Sequence, residues 1–108
     1  MTTMTINQAV EIISDLLQTL ENAYWEAANC EEKDRVFNLS QILNAEYIEL
    51  LKISVQDHHY EYEVISIAKA ELLQALNNFA FNCQQHVRRQ PTATRLQQLL
   101  SQFSNNLN

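Results

Sequence analysis

Residues 56–64, QDHHYEYEV, hold several side chains that could bind a metal ion or move a proton. His58 and His59 are neighbours, and Glu61 and Glu63 follow closely. Neighbouring residues of a helix point about 100° apart, so the two histidines do not readily share one ion. Each histidine can meet a glutamate three or four residues away, but two ligands make a weak site. We therefore favour a polar corner between two helices. The alternative is a metal-binding or redox bundle that uses all four residues.

Cys83 and His86 form the other pair with ligand-like spacing. Structural zinc needs four ligands, and Cys30 is the only other thiol in the sequence. We therefore expect Cys83 to be a small core residue. The chain has no glycine, which excludes glycine-rich phosphate-binding loops and dinucleotide fingerprints. The prediction is a non-enzymatic protein with no catalytic residue, no cofactor and no metal.

Glu46 is the one acid that lies close to the apolar stripe of the second predicted helix. A buried carboxyl has a raised pKa and can carry protons. An acid at such a position more often leans outward from the edge of the stripe, so the sequence alone leaves both interpretations open.

The composition predicts an all-α fold. Tight β-turns usually need glycine, whereas this chain of 108 residues has none and a single proline, Pro91. With 46% hydrophobic residues, one domain can build a core without disulfides. Two cysteines, the lack of signal-peptide features at the start and the lack of a long apolar run favour a cytoplasmic protein with reduced thiols.

Apolar periodicity predicts three long helices and a shorter C-terminal helix in one helical-bundle domain. The first spans about 6–28 and the second about 32–53. The third runs from within 56–64 to near residue 89, and the fourth spans about 92–103. Thr5 with Gln8, and Asn29 with Glu32, fit helix N-terminal caps. Residues 1–4 and 104–108 are expected to fray. One continuous helix over 32–90 is the alternative.

The expected third helix is too long and too apolar for its neighbours to cover. At about 1.5 Å per residue, a helix of roughly 30 residues would be about 45 Å long, and the fourth about half that. Its overhang would need a second surface, which predicts a homodimer because two-fold dimers are the commonest oligomers. The candidate interface residues are Leu73, Phe79 and Phe81.

Charge and aromatic residues indicate a function in protein binding. The formal net charge is −6, which disfavours direct nucleic-acid binding, and all 13 acids lie within residues 1–71. An adaptor, assembly factor, inhibitor or immunity-type protein that docks through a helix face fits these features. Candidate contacts with the partner are Trp25, Tyr60, Tyr62, Arg88 and Arg89. A further alternative is an acidic mimic of nucleic acid that blocks a DNA-binding protein.

Overall fold

Four helices make up most of the described chain. The computed structural model describes residues 4–57, 60–83, 87 and 89–107. The helices are α1 (Ile6–Glu26), α2 (Cys30–Asp57), α3 (Lys69–Phe81) and α4 (Gln90–Leu107). Within these residues the one β-type pairing is an isolated bridge between Thr5 and Glu61. The all-α prediction is confirmed.

Side-chain caps begin the first two helices, as the sequence predicted. The hydroxyl of Thr5 accepts from the Gln8 N–H at 3.2 Å, and the Gln8 side chain accepts from the Thr5 N–H at 3.0 Å. Asn29 accepts from the Glu32 N–H at 2.9 Å, and the Glu32 carboxylate accepts from the Ala28 N–H at 3.1 Å. These bonds satisfy backbone donors that a helix start leaves without partners.

Each helix contacts two neighbours, so that α1, α2, α3 and α4 form a closed ring. Asp15 of α1 pairs with Arg95 of α4, and Glu26 near the end of α1 accepts from Thr92 near the start of α4, so these two helices are antiparallel. The buried apolar side chains form one cluster inside the ring. On α1 the buried residues all belong to the apolar stripe that the sequence predicts, and they are Ile6, Ala9, Ile13, Leu16, Leu20 and Ala23.

The third helix is much shorter than predicted. It has 13 residues, which makes it the shortest of the four, and the described residues 60–68 before it are not helical. The backbone N–H groups of this segment bond elsewhere: that of Tyr62 donates to the Met4 carbonyl at 2.7 Å, and those of Ile65 and Ser66 donate to the side chain of Glu46. These contacts compete with helix formation. The prediction of three long helices is therefore wrong, and so is the continuous helix over 32–90.

Near each of the two ends that were expected to fray, one described residue belongs to the core. Met4 is buried, and its carbonyl accepts a hydrogen bond from the Tyr62 N–H. Helix α4 continues to Leu107, which is also buried. The long C-terminal helix and the short α3 remove the overhang from which the homodimer was predicted. Homodimerisation stays a prediction, but it has lost that support.

Candidate functional site

Glu46 lies in the middle of α2 and is completely enclosed. Its side chain is 0% exposed, although it carries a carboxyl group. The core stripe of α2 follows a 3-4-3-4 spacing through Val36, Leu39, Leu43, Glu46 and Leu50, so helix geometry directs this acid inward. A buried carboxylate is costly unless every oxygen has hydrogen-bond donors.

Four groups of the 60–68 segment donate to the two oxygens of Glu46. The Tyr62 hydroxyl donates to Oε2 at 2.6 Å, and the Ser66 hydroxyl donates to Oε1 at 2.6 Å. The Ser66 N–H reaches Oε1 at 2.8 Å, and the Ile65 N–H reaches Oε2 at 3.0 Å. The carboxylate thus fastens a non-helical segment to α2. This enclosed arrangement fits a structural anchor better than the proton carrier considered from the sequence.

Tyr62 connects this anchor to the rest of the bundle. Its ring stacks on Phe103 of α4, with 6.0 Å between ring centroids, and its N–H donates to the Met4 carbonyl. Burial, and then the hydrogen bond and negative charge of Glu46, raise the pKa of Tyr62 far above its usual value. Its hydroxyl therefore stays protonated as a donor. Tyr62 was expected to contact a partner, but its burial leaves it inaccessible to one in this structure.

An open groove runs between α1 and α2 on the outside of the ring. We call it the α1–α2 groove, and its volume is about 530 Å³. Helix α1 lines one wall with Leu17, Glu21, Tyr24 and Trp25, and α2 lines the other with Phe37, Ser40, Gln41 and Asn44. Trp25 is 70% exposed and Phe37 is 49% exposed. Ile48, also exposed, lies one turn beyond Asn44 on the same face of α2.

Tyr24 and Trp25 form an aromatic corner at one end of this groove. The rings of Tyr24 and Trp25 meet at 89° with 5.1 Å between their centroids. The Lys33 ammonium lies 5.0 Å from the Tyr24 centroid and 5.4 Å from the Trp25 centroid. These distances are those of cation–π contacts. The corner therefore already holds one cation, supplied by the protein's own α2.

The structure separates the predicted contact residues. Trp25 lies in the groove, whereas Tyr60 is exposed on the segment between α2 and α3. Arg89 is exposed, and Arg88 lies outside the described residues. Among the predicted dimer contacts, Phe81 is 89% exposed, Leu73 is half-buried and Phe79 is buried in the core. Phe79 is therefore not available on the surface of this chain.

The α2 wall of the groove was missed at the sequence level. Phe37, Gln41, Asn44 and Ile48 follow a 4-3-4 spacing, which places them on one face of the helix. This second stripe runs beside the core stripe and was hidden because two of its members are polar. Glu21, an exposed residue of α1, also lines the groove and was not identified as a contact residue from the sequence.

The metal-site alternative involves residues that the structure describes only in part. His58, His59 and His86 lie outside the described residues, while Glu61 and Glu63 are exposed. Among the residues that are described, no three histidine, cysteine or acidic side chains group together as a metal site would require.

Cys83 lies in the core, and its position agrees with the core role expected from the sequence. Its Sγ donates to the Ala93 carbonyl at 3.7 Å, which links the chain just after α3 to α4. Burial raises the pKa of Cys83 to about 11, so its thiol stays neutral. Cys30, by contrast, is exposed, and both thiols are free.

Comparisons with protein-family models, with curated proteins and with solved structures found no significant match. Within the described parts of the chain, no helix combines the length and the apolar character needed to cross a bilayer.

Proposed function

We propose that this protein is a non-enzymatic binding module that docks a helical segment of another protein in the α1–α2 groove. The observation that carries the proposal is the exposure of two aromatic rings, Trp25 and Phe37, on opposite walls of one groove. Large aromatic side chains dominate the energetics of many protein interfaces. Exposed apolar surface that is gathered in a groove indicates an interaction site more strongly than scattered residues do.

The shape of the groove suits a helix. Its walls are two adjacent helices. Phe37, Gln41 and Asn44 present one face of α2 along it, and the exposed Ile48 lies one turn further on the same face. Residues 37–48 of a helix span about 17 Å, which is roughly three turns. A partner helix with apolar residues three and four positions apart would insert them between Trp25 and Phe37. The central polar pair, Gln41 and Asn44, would help to set its register, as polar seam residues do in coiled coils.

The compartment and the oligomeric state belong to this proposal as well. Two free cysteines fit the reducing cytoplasm. A homodimer is still predicted from the sequence, and its mass can be measured directly. The proposed partner, however, is a different protein, and binding it does not require a second copy of this chain.

The proposal is tested by affinity capture with the purified protein as bait. Wild type is compared with Trp25→Ala, Phe37→Ala and a matched control, Phe81→Ala. Phe81 is also an exposed aromatic residue, but it lies on α3 and does not line the groove. Circular dichroism and thermal unfolding confirm that each bait is folded. Captured proteins are identified by mass spectrometry, and the leading one is purified for measurement of its dissociation constant.

We expect a protein that wild type and Phe81→Ala retain equally and that either groove variant binds at least tenfold more weakly. Truncating a central interface aromatic commonly costs about 2 kcal/mol or more, and about 1.4 kcal/mol corresponds to tenfold. If every captured protein binds the groove variants as tightly as wild type, the groove is not the docking site and the proposal fails.

A further inference from the structure

We infer that the partner helix is basic, and that one of its lysine or arginine side chains lies in the Tyr24–Trp25 corner beside Glu21. This inference rests on the proposed function, because it specifies the occupant of the same groove. Three observations carry it: the position of Glu21, the present contact of Lys33, and the charge of the whole chain.

Glu21 lies on the same face of α1 as the aromatic corner. Tyr24 is three residues further along α1 and Trp25 is four, and side chains at these spacings are neighbours on a helix. Glu21 is exposed in the groove wall, and it forms no ion pair within the described residues. An acid next to two aromatic rings offers a cation both a carboxylate and negative ring faces.

Lys33 shows that the corner accepts an ammonium group. It reaches both rings from α2, at 5.0 Å and 5.4 Å from their centroids. Because Trp25 is 70% exposed, much of its ring surface remains open beside this contact. A cation from a partner can therefore take over the position of Lys33. Arginine is especially well suited, since its planar guanidinium stacks on an aromatic ring and forms two parallel hydrogen bonds with a carboxylate.

The charge of the chain favours a basic partner over a second copy of itself. Each copy has a formal net charge of −6, so self-association brings like charges together, whereas a basic helix is attracted. Glu21 is the only acid in the groove lining, and no lysine or arginine lines it. Glu21 is thus the one charged residue of the lining, while the Lys33 ammonium reaches the aromatic corner from α2.

The class of partner is tested by selecting helices from a displayed peptide library. The library consists of 16-residue helix-forming sequences with random residues at the apolar and flanking positions. Selection uses the wild-type protein, and clones that still bind Phe37→Glu are discarded. The inference predicts enriched sequences with apolar residues at helical spacing and at least one lysine or arginine at a fixed position relative to them.

The leading selected peptide is then titrated against variants, using the fluorescence of Trp25, the only tryptophan. Glu21→Gln should weaken binding about threefold, as expected for an exposed ion pair. Replacing the peptide's fixed cation with glutamine should weaken binding to wild type similarly, and should have little further effect with Glu21→Gln. Lys33→Ala should bind the peptide about twofold more tightly than Lys69→Ala does. Both variants lose one positive charge, but Lys69 lies on α3, outside the groove lining.

Two results would overturn the inference, and they differ in whether docking of a helix in the groove is retained. Selected helices that bind in the groove without a cation preference, or with an acidic one, would refute the basic partner but leave helix docking intact. The inferred basic helical partner is also refuted if no selected helix depends on the groove for binding, or if the protein fills the groove by dimerising. The capture experiment with natural proteins then decides separately whether the groove docks any partner.

Discussion

The hydroxyl of Tyr62 donates a 2.6 Å hydrogen bond to Oε2 of Glu46, which lies in the preceding helix. This bond is the centre of a larger connection. Tyr62 also stacks on Phe103 and bonds to Met4, so a single residue ties α2, α4 and the chain start together. These contacts of Tyr62 hold the helices together at the end of the bundle where α1 begins. It leaves the α1–α2 groove, near the end of α1, free of these contacts.

Replacing Tyr62 with phenylalanine removes one donor from Glu46 and keeps the aromatic stack. We expect the free energy of unfolding to fall by about 1–3 kcal/mol, because a buried charged acceptor loses a hydrogen bond. Tyr60→Phe is the matched control. Tyr60 is 68% exposed, so its loss should change stability by less than about 0.5 kcal/mol. Urea unfolding followed by circular dichroism measures both, and equal effects would contradict the assigned role of the Tyr62 hydroxyl.

Glu46→Gln tests the same hydrogen bonds by changing their acceptor. The glutamine amide presents one oxygen and one NH₂ group to donors that now face two oxygens. The N–H groups of Ile65 and Ser66 should then exchange with solvent deuterium about tenfold faster or more, since local opening becomes easier by roughly 1.4 kcal/mol or more.

Amide exchange resolved by NMR measures this effect residue by residue. The Leu99 amide in the middle of α4 serves as the internal reference for any change in global stability. Exchange at Ile65 and Ser66 that rises only as much as at Leu99 would show that Glu46 does not hold this segment locally.

Because the Cys83 thiol is buried, we expect the free energy of unfolding to fall in alkaline solution. Its pKa is raised from 9.0 to about 11 by burial, so the unfolded chain loses the thiol proton at lower pH than the folded chain does. The stabilisation is fully present below pH 9 and is lost as the pH rises to about 11. The size of the loss is on the order of 2 kcal/mol.

The pH dependence is isolated by comparing variants under a reducing agent. Cys83→Ala should lack the part of the decline between pH 9 and 11 that wild type shows, whereas Cys30→Ala should keep it. Stability is measured by urea unfolding at each pH. Parallel curves for wild type and Cys83→Ala would mean that the buried thiol does not contribute.

The sequence was sufficient for the fold class, the caps and most of the core. The absence of glycine predicted helices, and apolar spacing predicted five of the seven buried residues of α4, namely Ala93, Leu96, Leu100, Phe103 and Leu107. These features depend on local geometry and on apolar periodicity. The third helix failed as a prediction because its first part is held by distant contacts. Residues 60–68 carry enough apolar side chains to look helical, yet Glu46 and Met4 bond to their backbone.

The groove was only partly predictable for a similar reason. Trp25 was identified because an exposed tryptophan is a plausible contact anchor. Phe37 was missed because its stripe on α2 contains Gln41 and Asn44, which weaken the apolar pattern. Only the packing of α1 against α2 shows that Trp25 and Phe37 line opposite walls of one groove. Glu46 already fell on the 3-4 spacing of the core stripe, but its charge argued for an outward position.

Site-specific photo-crosslinking shows directly whether a partner docks in the α1–α2 groove. A benzophenone amino acid is placed at Phe37 in one variant and at Phe81 in another, and each is irradiated with the partner found by affinity capture. Docking in the groove predicts a crosslinked product from position 37, and little or none from the equally aromatic and more exposed position 81. A product from position 81 alone, or equal yields from both, would contradict docking in the groove.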